Sequence, residues 1–298
     1  MKVLVSGSTG LIGSALVSLL RSKGYEVIRL VREKSLPDEN ATYWDIPSGH
    51  IETKELEGMD AVVHLTGANL SAGRWTEKRK AAFHESRVRA TRVLSDALAG
   101  LERPPGVFIS ASAIGYYGNR GSEKLSEDSP SGTGFLAELC RQWEDATNPA
   151  KAKGIRVVTA RIGVVLSPRG GALKKLLPFF RLGLGGKMGG GAQYMSWISI
   201  HDLVRAFQYC LSHEDLCGLV NFVAPNPVTN AEFTRALATA CRRPALLPVP
   251  GWVLKLMFGE MAEETILSSA RVLPEKLRAS GFDFHFPELQ KALRHLLN

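Results

Sequence analysis

The chain alternates short, nearly continuous apolar runs with longer stretches whose apolar residues recur every three or four positions. The runs Lys2–Ser6, Glu26–Val31, Ala61–Thr66, Val107–Ser112 and Arg156–Ile162 predict strands. A strand covered by helices on both faces has no polar face to alternate, so these runs imply a parallel sheet built from βαβ units. Between the first two, Leu11, Ile12, Ala15, Leu16, Leu19 and Leu20 form a stripe at helical spacing, which Lys23-Gly24 closes. A second helix is expected from about Glu77 to Leu98, with Phe83, Ala90, Leu94 and Ala97 inward. A third, near Phe135–Thr147, aligns Leu136, Leu139, Cys140 and Trp143. The expected fold is α/β, a Rossmann-type doubly wound parallel sheet.

The pattern changes after Ile162. Residues 167–193 are rich in glycine with scattered basic residues, a poor helix or strand composition overall. Ile198 to Leu211 then predicts a short strand and a helix. Pro225-Asn226-Pro227 marks a boundary, beyond which the chain reads as mainly helical. The expected organisation is a dinucleotide-binding domain over residues 1–225, with 167–193 an excursion on the substrate side. Residues 226–298 would form a small cap that packs on it and closes a cleft.

The candidate chemistry begins at the first turn. Gly7-Ser8-Thr9-Gly10-Leu11-Ile12-Gly13 leaves a strand and opens a helix. The first glycine permits the sharp turn, and the second lets backbone amides approach a pyrophosphate. The third brings helix and strand close, while the helix N-terminus supplies partial positive charge. The second strand ends at Val31-Arg32, where an Asp or Glu would accept from the adenosine 2′-hydroxyl and repel a 2′-phosphate. Arg32 stands there instead, with Arg29 and Lys34 nearby, and a guanidinium grips a phosphate bidentately. The expected cofactor is therefore NADP(H). Asp45 could accept from the adenine amino group or be a turn residue; both readings stay open.

Composition adds exclusions. Forty-five per cent hydrophobic and 22% charged residues over 298 positions suit a globular enzyme. No apolar run reaches the ~18 residues that span a bilayer. A strand that starts at Lys2 leaves no room for a signal peptide, which makes a cytoplasmic or organellar location the expectation. Cys140, Cys210, Cys217 and Cys241 show neither CxxC spacing nor histidine clustering, so reduced thiols and no metal are expected. The net charge of +8 is spread along the chain without zinc-finger, RNP or basic aromatic patterns, which argues against a nucleic-acid partner.

The GxxGxxG spacing, with His64-Leu65-Thr66-Gly67-Ala68 ending the strand Ala61–Thr66, resembles the extended short-chain dehydrogenase/reductase superfamily. The resemblance is closer to its atypical YfcH-like branch, the SulA-like epimerase family. It rests on Gly67-Ala68-Asn69 with Arg74-Trp75, Ser86-Arg87, Ser110 to Gly118, Arg161 to Leu166, Pro178 to Gly191, Trp197 to Asp202, and Asn230-Ala231-Glu232-Phe233, and it spans nearly the whole chain. It implies that Leu65, Thr66 and Gly67 and the loop after Ser112 flank a nicotinamide, and that Ser112 falls at the family's catalytic serine.

The same resemblance exposes a gap. The usual Tyr-x-x-x-Lys pair, in which the lysine lowers the phenol's pKa for proton exchange, aligns with Leu136 and Cys140. Tyr116 or Tyr117 could substitute, or Gly115-Tyr-Tyr-Gly118 could be a plain backbone turn. On the substrate side, Met195 replaces the arginine that grips a nucleotide-sugar diphosphate. Arg161, Arg169, Arg181 and Lys187 could still hold an anion, and Arg74 and Arg87 are further candidates; surface salt bridges on the long helix are the alternative, more so for Arg87 than for Arg74. Two functions follow: an NADP(H)-dependent oxidoreductase or epimerase acting on a small carbonyl or sugar, or an NADP(H)-binding module without turnover. Oligomeric state stays open.

Overall fold

A computed structural model describes residues 1–32 and 40–297; Lys34 lies outside the described residues. Among the described residues, the main sheet has eight strands: β1 Lys2–Ser6, β2 Glu26–Val31, β3 Ala41–Asp45, β4 His50–Ile51, β5 Ala61–His64, β6 Val107–Ala113, β7 Arg156–Ile162 and β8 Gly218–Phe222. Their spatial order is β8-β7-β6-β5-β1-β2-β3-β4. All neighbours run parallel except β3 and β4, which meet antiparallel through Trp44↔Ile51. The chain passes from one side of β1 to the other between β4 and β5, so the strand order reverses beside β1. Open α/β sheets bind ligands at the carboxyl ends of strands where this reversal occurs.

Both faces are covered, which explains the apolar runs. On one face Val3, Val5, Val63, Ile109 and Val158 pack with Leu16 and Leu20 of helix α1 (Leu11–Ser22). On the other, Leu4, Val62 and Phe108 pack with Leu94 and Leu98. The C-terminal region has no separate core: Phe233, Leu237, Leu293 and Leu296 join the same cluster as Val3. It is further pinned by Asp202, fully buried, whose carboxylate accepts from the backbone amides of His285 and Phe286 at 2.9 and 2.8 Å.

Four features differ from the sequence reading. β3 and β8 were not expected; β3 alternates buried and half-buried positions, and β8 begins at a glycine, so neither shows a continuous apolar run. The strand ending at Thr66 stops at His64, where the Ser6 hydroxyl accepts from the Leu65 amide at 3.2 Å. Inside the glycine-rich stretch, Gly171–Arg181 is a helix because Leu173, Leu177 and Phe180 share one buried face. The expected 77–98 helix is α2 (Glu77–His84), a π turn over Glu85–Arg89, and α3 (Ala90–Ala99).

Candidate active site at the carboxyl edge of the sheet

The turn after β1 is built by exclusion of side chains. Gly7 adopts φ +65°, and a Cβ there would lie 2.7 Å from the Leu65 carbonyl carbon. A Cβ on Gly13 would collide with the Gly7 carbonyl. Gly10 caps α1 without a side-chain hydrogen bond, and the first turn holds no acidic residue. The amides that open α1 are thus left for an external acceptor, in the positive field of the helix end. Among the described residues, no side chain caps them.

Of the basic residues expected beside the turn, Arg29 and Arg32 are described. Arg29 Nε donates to the Ser8 hydroxyl at 3.0 Å, which brings that guanidinium onto the turn itself. Arg32 is exposed just beyond β2. The register Val31↔Tyr43 sets Asp45, half-buried at the end of β3, at the same carboxyl edge. On the other side, Thr66 donates to the Ser6 hydroxyl at 3.1 Å, and Ser6 Oγ lies 2.6 Å from His64 Nδ1. Leu65, Thr66 and Gly67 therefore leave the sheet against the glycine turn.

The residues expected to carry catalysis fall largely inside the molecule. Arg161 is fully buried; its Nε and Nη2 donate to the two carboxylate oxygens of Glu144, each at 2.8 Å. The remaining Nη1 donates to the Tyr117 hydroxyl at 3.0 Å and to the Glu127 carbonyl at 3.3 Å. Ser112, 2% exposed, donates to Glu144 Oε1 at 2.7 Å. The fully buried Tyr117 hydroxyl sits 2.7 Å from Asn221 Oδ1 and 2.9 Å from the Ser126 carbonyl. Desolvation works to discharge Arg161, but the Glu144 carboxylate overrides it and raises the guanidinium above its ordinary value. Burial pushes the Tyr117 hydroxyl up to about 12, against the pull of Arg161.

This network bears on three of the expected site residues. Arg161 is fully buried and spends four of its five N–H donors on Glu144, Tyr117 and Glu127, Tyr117 holds its proton in the interior, and the Ser112 hydroxyl is committed to Glu144. The reason is strand alternation and register: Ser112 pairs with Arg161 across β6 and β7, which aims both toward helix α4 (Phe135–Asp145) and its Glu144. Tyr116 alone of the expected group is half-buried, under the Arg161 guanidinium at 3.4 Å from its ring centroid. The segment Ile114–Tyr117 is a 3-10 turn.

Leu136 and Cys140 face this region as apolar lining, 7% and 2% exposed. A Cβ on Gly115 would touch both. Burial pushes the Cys140 thiol up to about 12, the Glu144 carboxylate adding to the effect. Arg74 and Lys187 are exposed, and Arg74 lies against Gly259, where a Cβ would come within 3.4 Å of its guanidinium. Arg87 is no surface salt bridge: it is 8% exposed and sits behind Gly67. Among the described residues, no three His, Cys, Asp or Glu side chains gather as metal ligands, and no helix is long and apolar enough to cross a membrane.

The model of the NAD dependent epimerase/dehydratase family matches residues 3–220, and a domain of unknown function (DUF1731) matches residues 249–296. An epimerase family protein of Mycobacterium bovis is 45% identical over 98% of this chain and 96% of its own. A crystal structure of the human epimerase family protein SDR39U1 with NADPH superposes at a TM-score of 0.92, with 35% identity, 100% of this chain and 99% of that one. A UDP-N-acetylglucosamine 4-epimerase from Bacillus cereus shares the fold at a TM-score of 0.77 and 19% identity, over 100% and 98% of the two chains.

Proposed function

The chain belongs to the NAD dependent epimerase/dehydratase family, and from that premise we propose that it is an NADP(H)-binding oxidoreductase or epimerase-like enzyme acting on a small carbonyl or sugar-type substrate. The observation that carries the reading is the glycine turn, whose helix end is uncapped and whose Ser8 is tied to Arg29. The NADPH in the human relative's structure supports the same cofactor. Gly7 to Gly13 would take the pyrophosphate on the α1 amides. Arg32, with Arg29 behind it, would take the 2′-phosphate, and Asp45 the adenine side.

Leu65, Thr66 and Gly67 would line the nicotinamide, and exposed Arg74 and Lys187 would meet the substrate, with residues 226–298 as its cap. When bound, the nicotinamide supplies or takes up hydride. The chain's part is to orient the substrate and exclude water. Of the hydroxyls considered for proton exchange, Tyr116 is the one that buried hydrogen bonds do not claim. The scaffold around it, Arg161 with Glu144, Ser112 and Tyr117, fixes its turn.

Fluorescence titration tests the cofactor reading. NADPH should bind about tenfold to a hundredfold tighter than NADH, since a guanidinium–phosphate contact contributes about 1.5–3 kcal/mol. Arg32→Ala and Arg29→Ala together should erase that preference. Equal affinities in the wild type would refute it. A second reading, a binding module without turnover, is favoured by Leu136 and Cys140 in the place of a proton-exchanging pair. Oxidation of NADPH in a carbonyl and nucleotide-sugar screen, lost in Tyr116→Phe, would exclude that module. Tight binding with neither oxidation of NADPH nor conversion of any substrate in the screen would establish it.

A further inference from the structure

The helix that follows the Gly67 loop is interrupted where it passes the site. Between α2 and α3, Glu85–Arg89 forms a π turn, a wide turn that occurs preferentially where a helix serves a function. Arg87 stands in that turn and points inward, 8% exposed. Its Nη2 donates to the Ala68 carbonyl at 2.9 Å, and Nη1 reaches the Ser86 hydroxyl at 3.5 Å. The guanidinium carbon lies 5.3 Å from the Trp143 ring centroid and 5.8 Å from that of Phe83. A Cβ on Gly67 would come within 3.3 Å of it.

Arg87 lacks what the other deeply buried arginine has. Arg161 is neutralised by Glu144, whereas no ion pair joins Arg87 to a carboxylate among the described residues, and the neighbouring Cys140 thiol, pushed up to about 12, carries no charge at neutral pH. A guanidinium carries five N–H donors, and the two protein acceptors leave it under-used. Burial draws it down to about 10, which still leaves it cationic at neutral pH. A buried cation held without a counter-charge is costly, and an incoming anion would relieve that cost.

The location indicates where the anion would come from. Gly67 and Ala68 directly follow Leu65 and Thr66, the peptide against which Gly7 packs. Arg87 also neighbours Cys140, at the position where the motif lysine would stand. The α1 amides already serve a pyrophosphate and Arg29 with Arg32 a 2′-phosphate, so neither cofactor phosphate needs Arg87.

We propose that Arg87 is the anion-recognising residue of this site, and that the substrate taken beside the cofactor carries an oxyanion, a carboxylate or a phosphate monoester, held by the guanidinium fork. This rests on the NADP(H) reading of the glycine turn. The planar fork pairs with both oxygens of such a group, which the point charge of a lysine cannot do.

The test uses the full chain saturated with NADPH and titrated with malonate in one arm and inorganic phosphate in the other, followed by the cofactor's fluorescence. The wild type should respond saturably to at least one anion. Arg87→Gln should weaken that response at least tenfold, and Arg87→Lys by a smaller factor, while NADPH affinity stays within threefold in both. Should the glutamine variant fail to fold by circular dichroism, the lysine variant decides alone: an anion response as strong as the wild type's overturns the proposal. No saturable response in the wild type, or one that survives Arg87→Gln, also overturns it. A tenfold loss of NADPH affinity in either folded variant would assign Arg87 to the cofactor instead. A wild type that binds no NADPH would bring down the cofactor reading and this inference with it.

Discussion

Arg161 places a full charge on β7, one strand in from the edge of the sheet, and its neighbours are arranged to neutralise it. Glu144 meets it through two 2.8 Å hydrogen bonds, Tyr117 accepts from its third nitrogen, and Ser112 supports the carboxylate. Removing one partner of such a buried pair leaves the other uncompensated, which costs about 3–5 kcal/mol. Arg161→Met should therefore lower stability by about that amount in urea denaturation, and pairing it with Glu144→Met should recover part of the loss. A change below 1 kcal/mol in the single variant would show that the pair is not structural. Ser112→Ala removes only one supporting hydrogen bond, about 1 kcal/mol, and should leave NADPH affinity unchanged by calorimetry. An affinity loss of tenfold or more would return Ser112 to the site.

Among the elements, the β1–α1 turn leaves little room for change. Gly13 has no room for a Cβ against the Gly7 carbonyl. Gly13→Ala must push the helix off the strand and move the amides that open α1. At least a tenfold loss of NADPH affinity is expected, measured by fluorescence titration, and an alanine variant that binds normally would contradict the cradle. This element was legible in the sequence because glycine spacing, a strand and a helical stripe all lie within a few residues of one another. The buried network was not legible, since Tyr117 and Asn221 lie 104 residues apart and only the register of β6 on β7 reveals that Ser112 and Arg161 share a face. The same holds for Arg87: a π turn leaves no composition signal, so its burial could not be read from the stripe Phe83, Ala90, Leu94. The 171–181 helix was obscured by its glycine-rich surroundings, although Leu173, Leu177 and Phe180 carried the period.

For the whole molecule, the sheet's stability is linked to pH through His64. It is fully buried between Trp44 and Phe108, and desolvation lowers its pKa from 6.5 to about 3. The native state thus keeps it neutral while the unfolded chain protonates below pH 6.5. Stability is fully present above that value and is lost as pH falls from 6.5 toward 3, by about 2 kcal/mol at pH 5. Urea denaturation at pH 7 and pH 5 should show this difference reduced in His64→Gln; identical pH slopes would refute the linkage.

The claim on which the functional account depends is that the turn after β1 holds NADP with its 2′-phosphate against Arg29 and Arg32. Phosphorus NMR of NADP⁺ reads that phosphate directly, through a resonance that in the free cofactor titrates near pH 6, as phosphate monoesters do. In the complex it should stay dianionic well below pH 6, and Arg32→Ala should restore part of the free titration. A bound 2′-phosphate that titrates as it does in free solution would contradict the account.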